Sequence, residues 1–263
     1  MAIRRSYHDA CGMAHALDLV GERWALLVVR ELVLGPKRYT DLRADLPGIS
    51  TTVLAHRLDE LEQTGVVRRR RLAPPAGSTV YELTDWGQEL EPVIRQLGRW
   101  GARSPTRRRD AHLSAAGLVL SLRTNYQPDG SDGFAATIEL RLGEDRFTAE
   151  DRFTAEDRFT AEDRFTAEDR FTATVQDGQL AVVRGGADEP DAVIEGAPGV
   201  LAGVLCGGRC LQEAIRANDL SVRGDSSAIR RFLSQFSLPE PVSGPPPPID
   251  SPEKTPPRRL PRE

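Results

Sequence analysis

Four consecutive arginines, Arg68, Arg69, Arg70 and Arg71, form the densest cationic run in the chain. Guanidinium groups at that density suit one kind of chemistry, charge-assisted contact with phosphate or carboxylate oxygens. The plain alternative is a solvated strand face in an arginine-rich protein. Shortly before the run stand Ser50, Thr51, Thr52, His56 and Arg57, which offer hydroxyl, imidazole and guanidinium groups to base edges or phosphates, and Arg38 lies further upstream. Asp59, Glu60 and Glu62 come after them, so the polar groups that could approach a polyanion lead and the carboxylates trail. No Ser/His/Asp set, phosphate-cradling loop or metal cluster is legible. No catalytic residue, cofactor or metal is therefore expected, and the chain does not read as an enzyme.

The elements that must position these groups run from Arg38 to Asp85. A short helix over Tyr39 to Asp45 should stop at Pro47-Gly48. Ser50 has the chemistry to N-cap a second helix from Thr51 to about Gln63, closed by Gly65. Leu54, Leu58 and Leu61 make its buried stripe, and Thr52, His56 and Gln63 lie opposite. Two β-type segments follow, Val66 to Leu72 and Thr79 to Leu83, joined by a tip containing Pro74, Pro75 and Gly77. Helix, turn, helix and basic hairpin is the layout of a winged helix-turn-helix DNA reader.

The stretch GERWALLVVRELVLGPKRYTDLRADLPGISTTVLAHRLDELEQTGVV, followed by YELTDWGQEL, resembles the HxlR-type family of bacterial regulators. The resemblance rests on Trp24 after Gly-Glu-Arg, Gly35-Pro36 before Arg38-Tyr39, Ile49-Ser50 before Leu54, Gly65, and Tyr81 to Thr84, and it covers about residues 8 to 101. It implies a homodimer on a palindromic double-stranded operator. It also implies that a cysteine near Cys11 senses oxidants or electrophiles in some members.

Around that reader, a helix from about His8 to Val20 would put His8, Cys11 and His15 on one face. Three readings stay open for Cys11: a metal ligand, a redox thiol, or a small residue at a dimer contact. Arg23 to Leu34 should be a core helix with Trp24 as a packing anchor. After the wing, a helix from Thr84 or Asp85 to about Trp100 carries Leu90, Val93, Ile94, Leu97 and Trp100. That stripe, together with the first helix, is assigned to the dimer interface.

Charge is asymmetric. Residues 1–110 hold 18 Lys+Arg against 14 Asp+Glu, and the remainder 17 against 25, for −4 overall. The basic half is the one with the reader pattern. Three cysteines make no disulfide framework, and no apolar run reaches membrane length, so a cytoplasmic protein without membrane contact is expected.

The expected division is 1–103 for DNA binding and dimerisation, 104–111 as linker, 112–238 as a second domain and 239–263 as a disordered tail with ten prolines in 25 residues. The second domain reads as α+β: a helix over His112 to Tyr126, strands at Phe134 to Leu142, Phe171 to Gln176, Leu180 to Arg184 and Ala192 to Glu195, then helices at Pro198 to Leu205 and Leu211 to Ala217. A strand over Leu220 to Arg223 and a helix over Ser226 to Phe236 end it. The stretch AVIEGAPGVLAGVLCGGRCLQEAIRANDLSVRGDSSAIRRFLSQF is similar to the C-terminal half of the type-two sterol-carrier-protein fold. That resemblance implies a lipid or other apolar effector in a tunnel between sheet and helices. Leu118, Leu122, Val200, Val204, Phe232 and Phe236 are the candidate lining residues, with mutual packing as the alternative. An assembly module and a catalytic domain are the other readings of this half; His112 is its one histidine.

Residues 144–173 are EDRFTA five times in tandem. A period of six places every Phe on one face of a strand but forms no helical stripe. Removing four copies leaves two strands of ordinary length, so the extra copies read as an expansion inserted at a strand or hairpin.

Overall fold

The computed structural model describes residues 6–73, 77–108, 111–128, 133–143 and 170–242. The order is α1 (Gly12–Val20), α2 (Ala25–Leu32), α3 (Tyr39–Asp45), α4 (Thr51–Gln63), β1 (Val67–Arg71), β2 (Thr79–Leu83), α5 (Asp85–Gln88) and α6 (Leu90–Ala102) in the first domain. The second holds α7 (Ala115–Asn125), β3 (Ala136–Leu142), β4 (Arg170–Gln176), β5 (Gln179–Arg184), β6 (Ala192–Gly196), α8 (Pro198–Cys206), α9 (Leu211–Arg216), β7 (Leu220–Gly224) and α10 (Ser226–Ser234). The mixed α+β expectation holds. No helix among the described residues is long and apolar enough to cross a membrane.

The winged half follows its local signals closely. Ser50 Oγ accepts from the Val53 amide at 3.2 Å and caps α4. At the other end Gly65, at φ +75°, lets the Val66 amide reach back to the Leu61 carbonyl, which satisfies a helix-end acceptor. Leu54, Leu58 and Leu61 are all buried. The Tyr39 hydroxyl donates to the Thr51 carbonyl at 2.8 Å, which ties the start of α3 to the start of α4. β1 and β2 pair antiparallel, and Lys37 adds a bridge to Tyr81.

Three sequence expectations change here. The first helix starts at Gly12, with His8 outside it at φ +51°, so His8, Cys11 and His15 do not share a helical face. Trp24 lies at φ +79° as the N-cap of α2, which shortens that helix at its start. The helix after the wing breaks at Glu89 into α5 and α6.

In the second domain the sheet order is β5-β4-β3-β6-β7, with β3 and β6 parallel and the other neighbours antiparallel. Alternation decides its two faces. Ile138, Leu140, Phe171, Ala173, Val182 and Ile194 are buried on the face that α7 and α10 cover. Between them, Glu139 pairs with Arg141 at 2.6 Å and Glu195 with Arg223 at 3.3 Å. Of the tandem repeat, Arg170 to Ala173 of the last copy form the start of β4, and Phe171 pairs with Leu140. The remainder of the repeat and residues 243–263 of the proline-rich tail lie outside the described residues. The start of the tail is held, the Glu240 carbonyl accepting from Arg103 Nε at 3.1 Å and the Val242 amide donating to the Arg103 carbonyl at 3.0 Å.

The two halves share a buried polar junction centred on Glu31 of α2, whose side chain is fully enclosed. Its carboxylate receives Lys37 Nζ at 3.0 Å, Arg30 Nε at 2.8 Å and the Ser114 hydroxyl at 2.7 Å. Ser114 is also the N-cap of α7, so one residue caps a helix of the second domain and serves a carboxylate of the first. Lys37 in turn reaches Asp45 at 2.5 Å. Further bonds cross the junction: Arg123 to Glu91 at 2.8 Å, and Arg184 Nε to the Leu34 carbonyl at 3.2 Å.

Burial alone would push the Glu31 pKa up, but the Lys37 and Arg30 charges and the Ser114 hydroxyl outweigh it and leave it below the usual carboxylate range. Burial does push the Asp45 carboxyl up, against the pull of Lys37. A depressed folded-state pKa contributes stability that is present at neutral pH and lost as pH falls through that value. Glu31→Gln is accordingly expected to destabilise the chain by about 3 kcal/mol at neutral pH, because it leaves a buried cation short of its partner. In denaturant melts the gap between wild type and variant should narrow as the pH is lowered through the carboxylate range. A gap independent of pH would show that the charge on Glu31 contributes nothing.

Candidate nucleic-acid interface

α4 presents Thr51, Thr52, Val53, Ala55, His56, Asp59 and Gln63 to solvent. The hydroxyls and the imidazole occupy the N-terminal half, as the sequence indicated, and Ser50 is committed to the cap. Val53, 37% exposed, went unnoticed in the sequence. An apolar side chain on this face suits contact with a thymine methyl group, and its signal was only that it falls outside the Leu54-Leu58-Leu61 stripe.

Arg57 does not join that face. Its guanidinium pairs with Glu60 and approaches Glu22 at 3.8 Å, and the side chain is 14% exposed. His56 Nδ1 also lies 3.4 Å from Glu60. Arg38 is exposed at the start of α3, its backbone amide held by Asp41 at 3.1 Å.

The four-arginine run resolves by strand parity into two pairs. Arg68 lies directly across from Glu82 in the ladder, and Arg70 follows on the same face. Arg68 Nε reaches Glu82 at 2.7 Å, and Arg70 Nη2 reaches it at 2.9 Å. The hydrogen bond from Arg70 leads the causes that hold Glu82 below its usual pKa, with Arg68 adding to it, so the carboxylate stays charged and offsets one of the two cations. Arg69 and Arg71 project from the other face. Arg69 lies 4.0 Å from Glu62, and Arg71 donates to the Gly77 carbonyl at the tip at 3.2 Å. A carbonyl neutralises no charge, so Arg71 keeps its full cationic character. Glu82 was legible only through strand register.

The outer stripe of α6 carries Val93, Leu97 and Trp100, exposed by 54%, 48% and 74%, and the helix has no buried residue. On α1, Met13 is 66% exposed. Ile94, on the adjacent stripe, packs toward the core instead. Cys11 is an exposed free thiol at the N-cap of α1, where hydrogen bonds from the Met13 and Ala14 amides hold its pKa below the ordinary thiol value. Cys206 is half-buried, and burial pushes its thiol up. No cluster of three His, Cys, Asp or Glu side chains that could hold a metal occurs among the described residues.

Of the residues read as an apolar lining, Leu118, Leu122, Phe232 and Phe236 are buried in the shared core, with Val200 and Val204 packed against it. Phe232 and Phe236 meet edge to face at 5.0 Å. A cavity of about 460 Å³ lies between α6, α7 and α8, and Leu118, Leu122 and Phe236 reach its wall while Val200, Val204 and Phe232 do not.

A capped helix with a polar outer face beside a cationic hairpin defines a winged helix-turn-helix DNA-binding unit. Residues 19–108 match the HxlR-like helix-turn-helix family. The chain is 38% identical over 85 residues to the uncharacterized HTH-type transcriptional regulator YvaP of Bacillus subtilis (strain 168), covering 32% of this chain and 79% of that protein. It is also 38% identical over 88 residues to the HTH-type transcriptional regulator YodB of the same strain, covering 34% and 79%. Among solved structures, the reduced form of YodB is 33% identical, covers 37% of this chain and 97% of its own, and has a TM-score of 0.34. The chain belongs to the HxlR-like helix-turn-helix family and is a DNA-binding transcriptional regulator. The family match ends at residue 108, before the second domain.

The salt dependence of DNA binding should expose the pairing at Glu82. Glu82→Gln releases Arg68 and Arg70, so the slope of log affinity against log salt should steepen by about 1 to 2 units. Arg69→Gln with Arg71→Gln should flatten it. An unchanged slope in both variants would remove the wing from the phosphate contacts.

Proposed function

We propose that the protein binds a palindromic operator as a homodimer and that its second domain receives a small apolar or amphipathic effector. The observation that carries the DNA part is the exposed Thr51, Thr52, Val53, His56 face of α4, held beside Arg69 and Arg71. α4 enters the major groove N-terminus first, which keeps Asp59, Glu60 and Glu62 away from phosphates. Ser50 acts through the cap, and Arg38 with the wing arginines grips the backbone. Arg57 serves through its pairing with Glu60 rather than by reading a base.

Homodimerisation is supported by the uncovered Val93, Leu97 and Trp100 stripe of α6 and by the exposed Met13 of α1. The effector reading is supported by a helix-covered sheet whose apolar face is larger than a reader needs, together with a cavity at its edge. The resemblance of this half to the type-two sterol-carrier fold points the same way. Among the described residues no arrangement favours catalysis.

The test is selection of bound sequences from random duplex DNA. Wild type should return a palindrome. Thr52→Ala or His56→Ala should change the preferred base at one position per half-site, at a cost of about 1–3 kcal/mol against the original. Leu97→Asp with Trp100→Asp should give a monomer by light scattering and weaken operator binding about a hundred-fold, through loss of simultaneous engagement. Recovery of no common sequence, or a double variant that stays dimeric, would refute the respective half of the reading.

A second reading is favoured by Cys11, whose exposure and depressed pKa are the two requirements of a reactive thiolate. In that reading oxidation or alkylation of Cys11 releases the operator, and the second domain is an assembly module. Cys11→Ser should then hold the operator in the presence of diamide while wild type lets go. Equal release of both would end the redox reading.

A further inference from the structure

The cavity between α6, α7 and α8 opens to solvent beside the exposed Gly98, Arg99 and Arg107, and several of its wall positions carry no side chain. Gly98 and Gly101 of α6, Gly117 of α7, and Gly199 and Gly203 of α8 all line it. A Cβ added at Gly98, Gly101 or Gly199 would meet nothing within 4 Å. Glycine inside a helix costs about 1 kcal/mol relative to alanine. At these three positions the missing side chain leaves open space, whereas a Cβ at Gly117 would press on Leu113 and Ser114. At about 460 Å³ the space falls within the range of small-molecule sites.

Its wall is chemically one-sided. Arg95, Arg99, Arg107 and His112 line it, with Arg108 engaged by a partner of its own, and among the described lining residues there is no aspartate or glutamate. Arg30 also lines it but is ion-paired with Glu31 at 2.6 Å. Arg95 hydrogen-bonds the Arg123 carbonyl and the Thr124 hydroxyl, which orient it without neutralising it. The charge of Arg107 is felt at Cys206 on the opposite wall, where it opposes the upward push of burial. Converging like charges cost free energy unless an anion lies among them. The rest of the lining is apolar, with Ile94, Leu118, Leu122, Leu205 and Phe236. Asn125, on the same wall and 5% exposed, holds Ser121 through its amide nitrogen, while its Oδ1 finds no partner among the described residues. A buried acceptor without a donor marks a place for a polar ligand atom.

We propose that this junction cavity, rather than a tunnel under the sheet, is the effector site, and that it takes an amphipathic carboxylate. Arg99 and Arg107 hold the carboxylate, and the apolar body lies on Ile94, Leu118, Leu122 and Phe236. Asn125 accepts from a hydroxyl or a water carried in with the ligand. The inference rests on the reading of the second domain as an effector domain, and it supplies the route to DNA. α6 forms one wall of the site and presents its opposite stripe, Val93, Leu97 and Trp100, to the second copy. A ligand that moves α6 changes the spacing of the two recognition helices, and the operator must alter ligand affinity by the same factor.

The experiment is calorimetry of the full chain with decanoate, decanol and decyltrimethylammonium, each below its micelle concentration, followed by operator affinity with and without decanoate. Decanoate should bind with one site per chain and a negative heat-capacity change, decanol more weakly, and the cation not at all. Arg99→Gln with Arg107→Gln should weaken decanoate about ten-fold or more and spare decanol. Gly98→Leu should block both by filling the space, with its fold checked by thermal melting. Equal affinities for the three probes, or decanoate binding indifferent to the arginine and Gly98 variants, would overturn the site. Selective operator binding with no decanoate uptake overturns the site and leaves the regulator standing. Uptake that obeys the variants but leaves operator affinity unchanged supports the site and overturns the effector reading.

Discussion

A buried carboxylate without partners would abandon its charge or unfold its surroundings, and Glu31 does neither because three elements deliver donors to it. Lys37 comes from the turn before the helix-turn-helix, Arg30 from its own helix and Ser114 from the second domain. Through Lys37 the same network reaches Asp45 at the end of α3. The orientation of α3, which sets how α4 is presented, is therefore tied to the seating of α7. Desolvation of an ion in the interior costs several kcal/mol, and it is offset only if all the partners arrive together. The network thus specifies one docking of the two halves more than it adds net stability.

That constraint was invisible in the sequence, whereas the reader was almost fully legible. Ser50, Gly65 and the Leu54, Leu58, Leu61 stripe are local signals, and local hydrogen bonds and helical periodicity turned each into structure without tertiary help. Alternation did the same for the strands of the second domain. What failed depended on partners far along the chain or on a backbone exception. Arg57 is nearest in spacing to the exposed face but is claimed by Glu60 and Glu22. Arg68 and Arg70 face Glu82 across the hairpin, a pairing that only the strand register reveals. His8 leaves the helix through a left-handed backbone that no periodicity encodes. The apolar residues of α7, α8 and α10 read correctly as faces, yet whether faces touch or stand apart depends also on glycines in a fourth helix, α6, from the other half of the chain.

The charge of the interface is smaller than the sequence implies. Of the four wing arginines, Arg68 and Arg70 share one carboxylate and Arg69 lies near another, leaving Arg71 with a carbonyl. A reader with fewer unpaired cations binds DNA of every sequence more weakly, since phosphate contact carries no sequence information. On the proposed reading of the site, the polar and apolar groups of α4 then decide a larger share of the total. Self-neutralisation on the wing favours specificity over affinity, a useful balance for a protein that must find few sites among many.

α6 is the element on which these threads meet. Its inner stripe touches α7 and lines the cavity, while its outer stripe is apolar and exposed. Allosteric coupling between two sites is worth typically about 1–3 kcal/mol, an amount that a modest shift of one packed helix can supply. A helix with large side chains toward α7 would be locked in place. Gly98, Gly101 and Ala102 leave it a soft contact there. Arg95 donates to the Arg123 carbonyl and to Thr124, and Arg123 donates to Glu91, in its first two turns, while Arg103 at its C-cap bonds Glu240 and Val242. Movement is then easiest in the turns between those two ties, which carry Leu97 and Trp100. The side on which the helix is loosely held is the side toward the cavity, and the turns left untied are the ones that a second copy would grip.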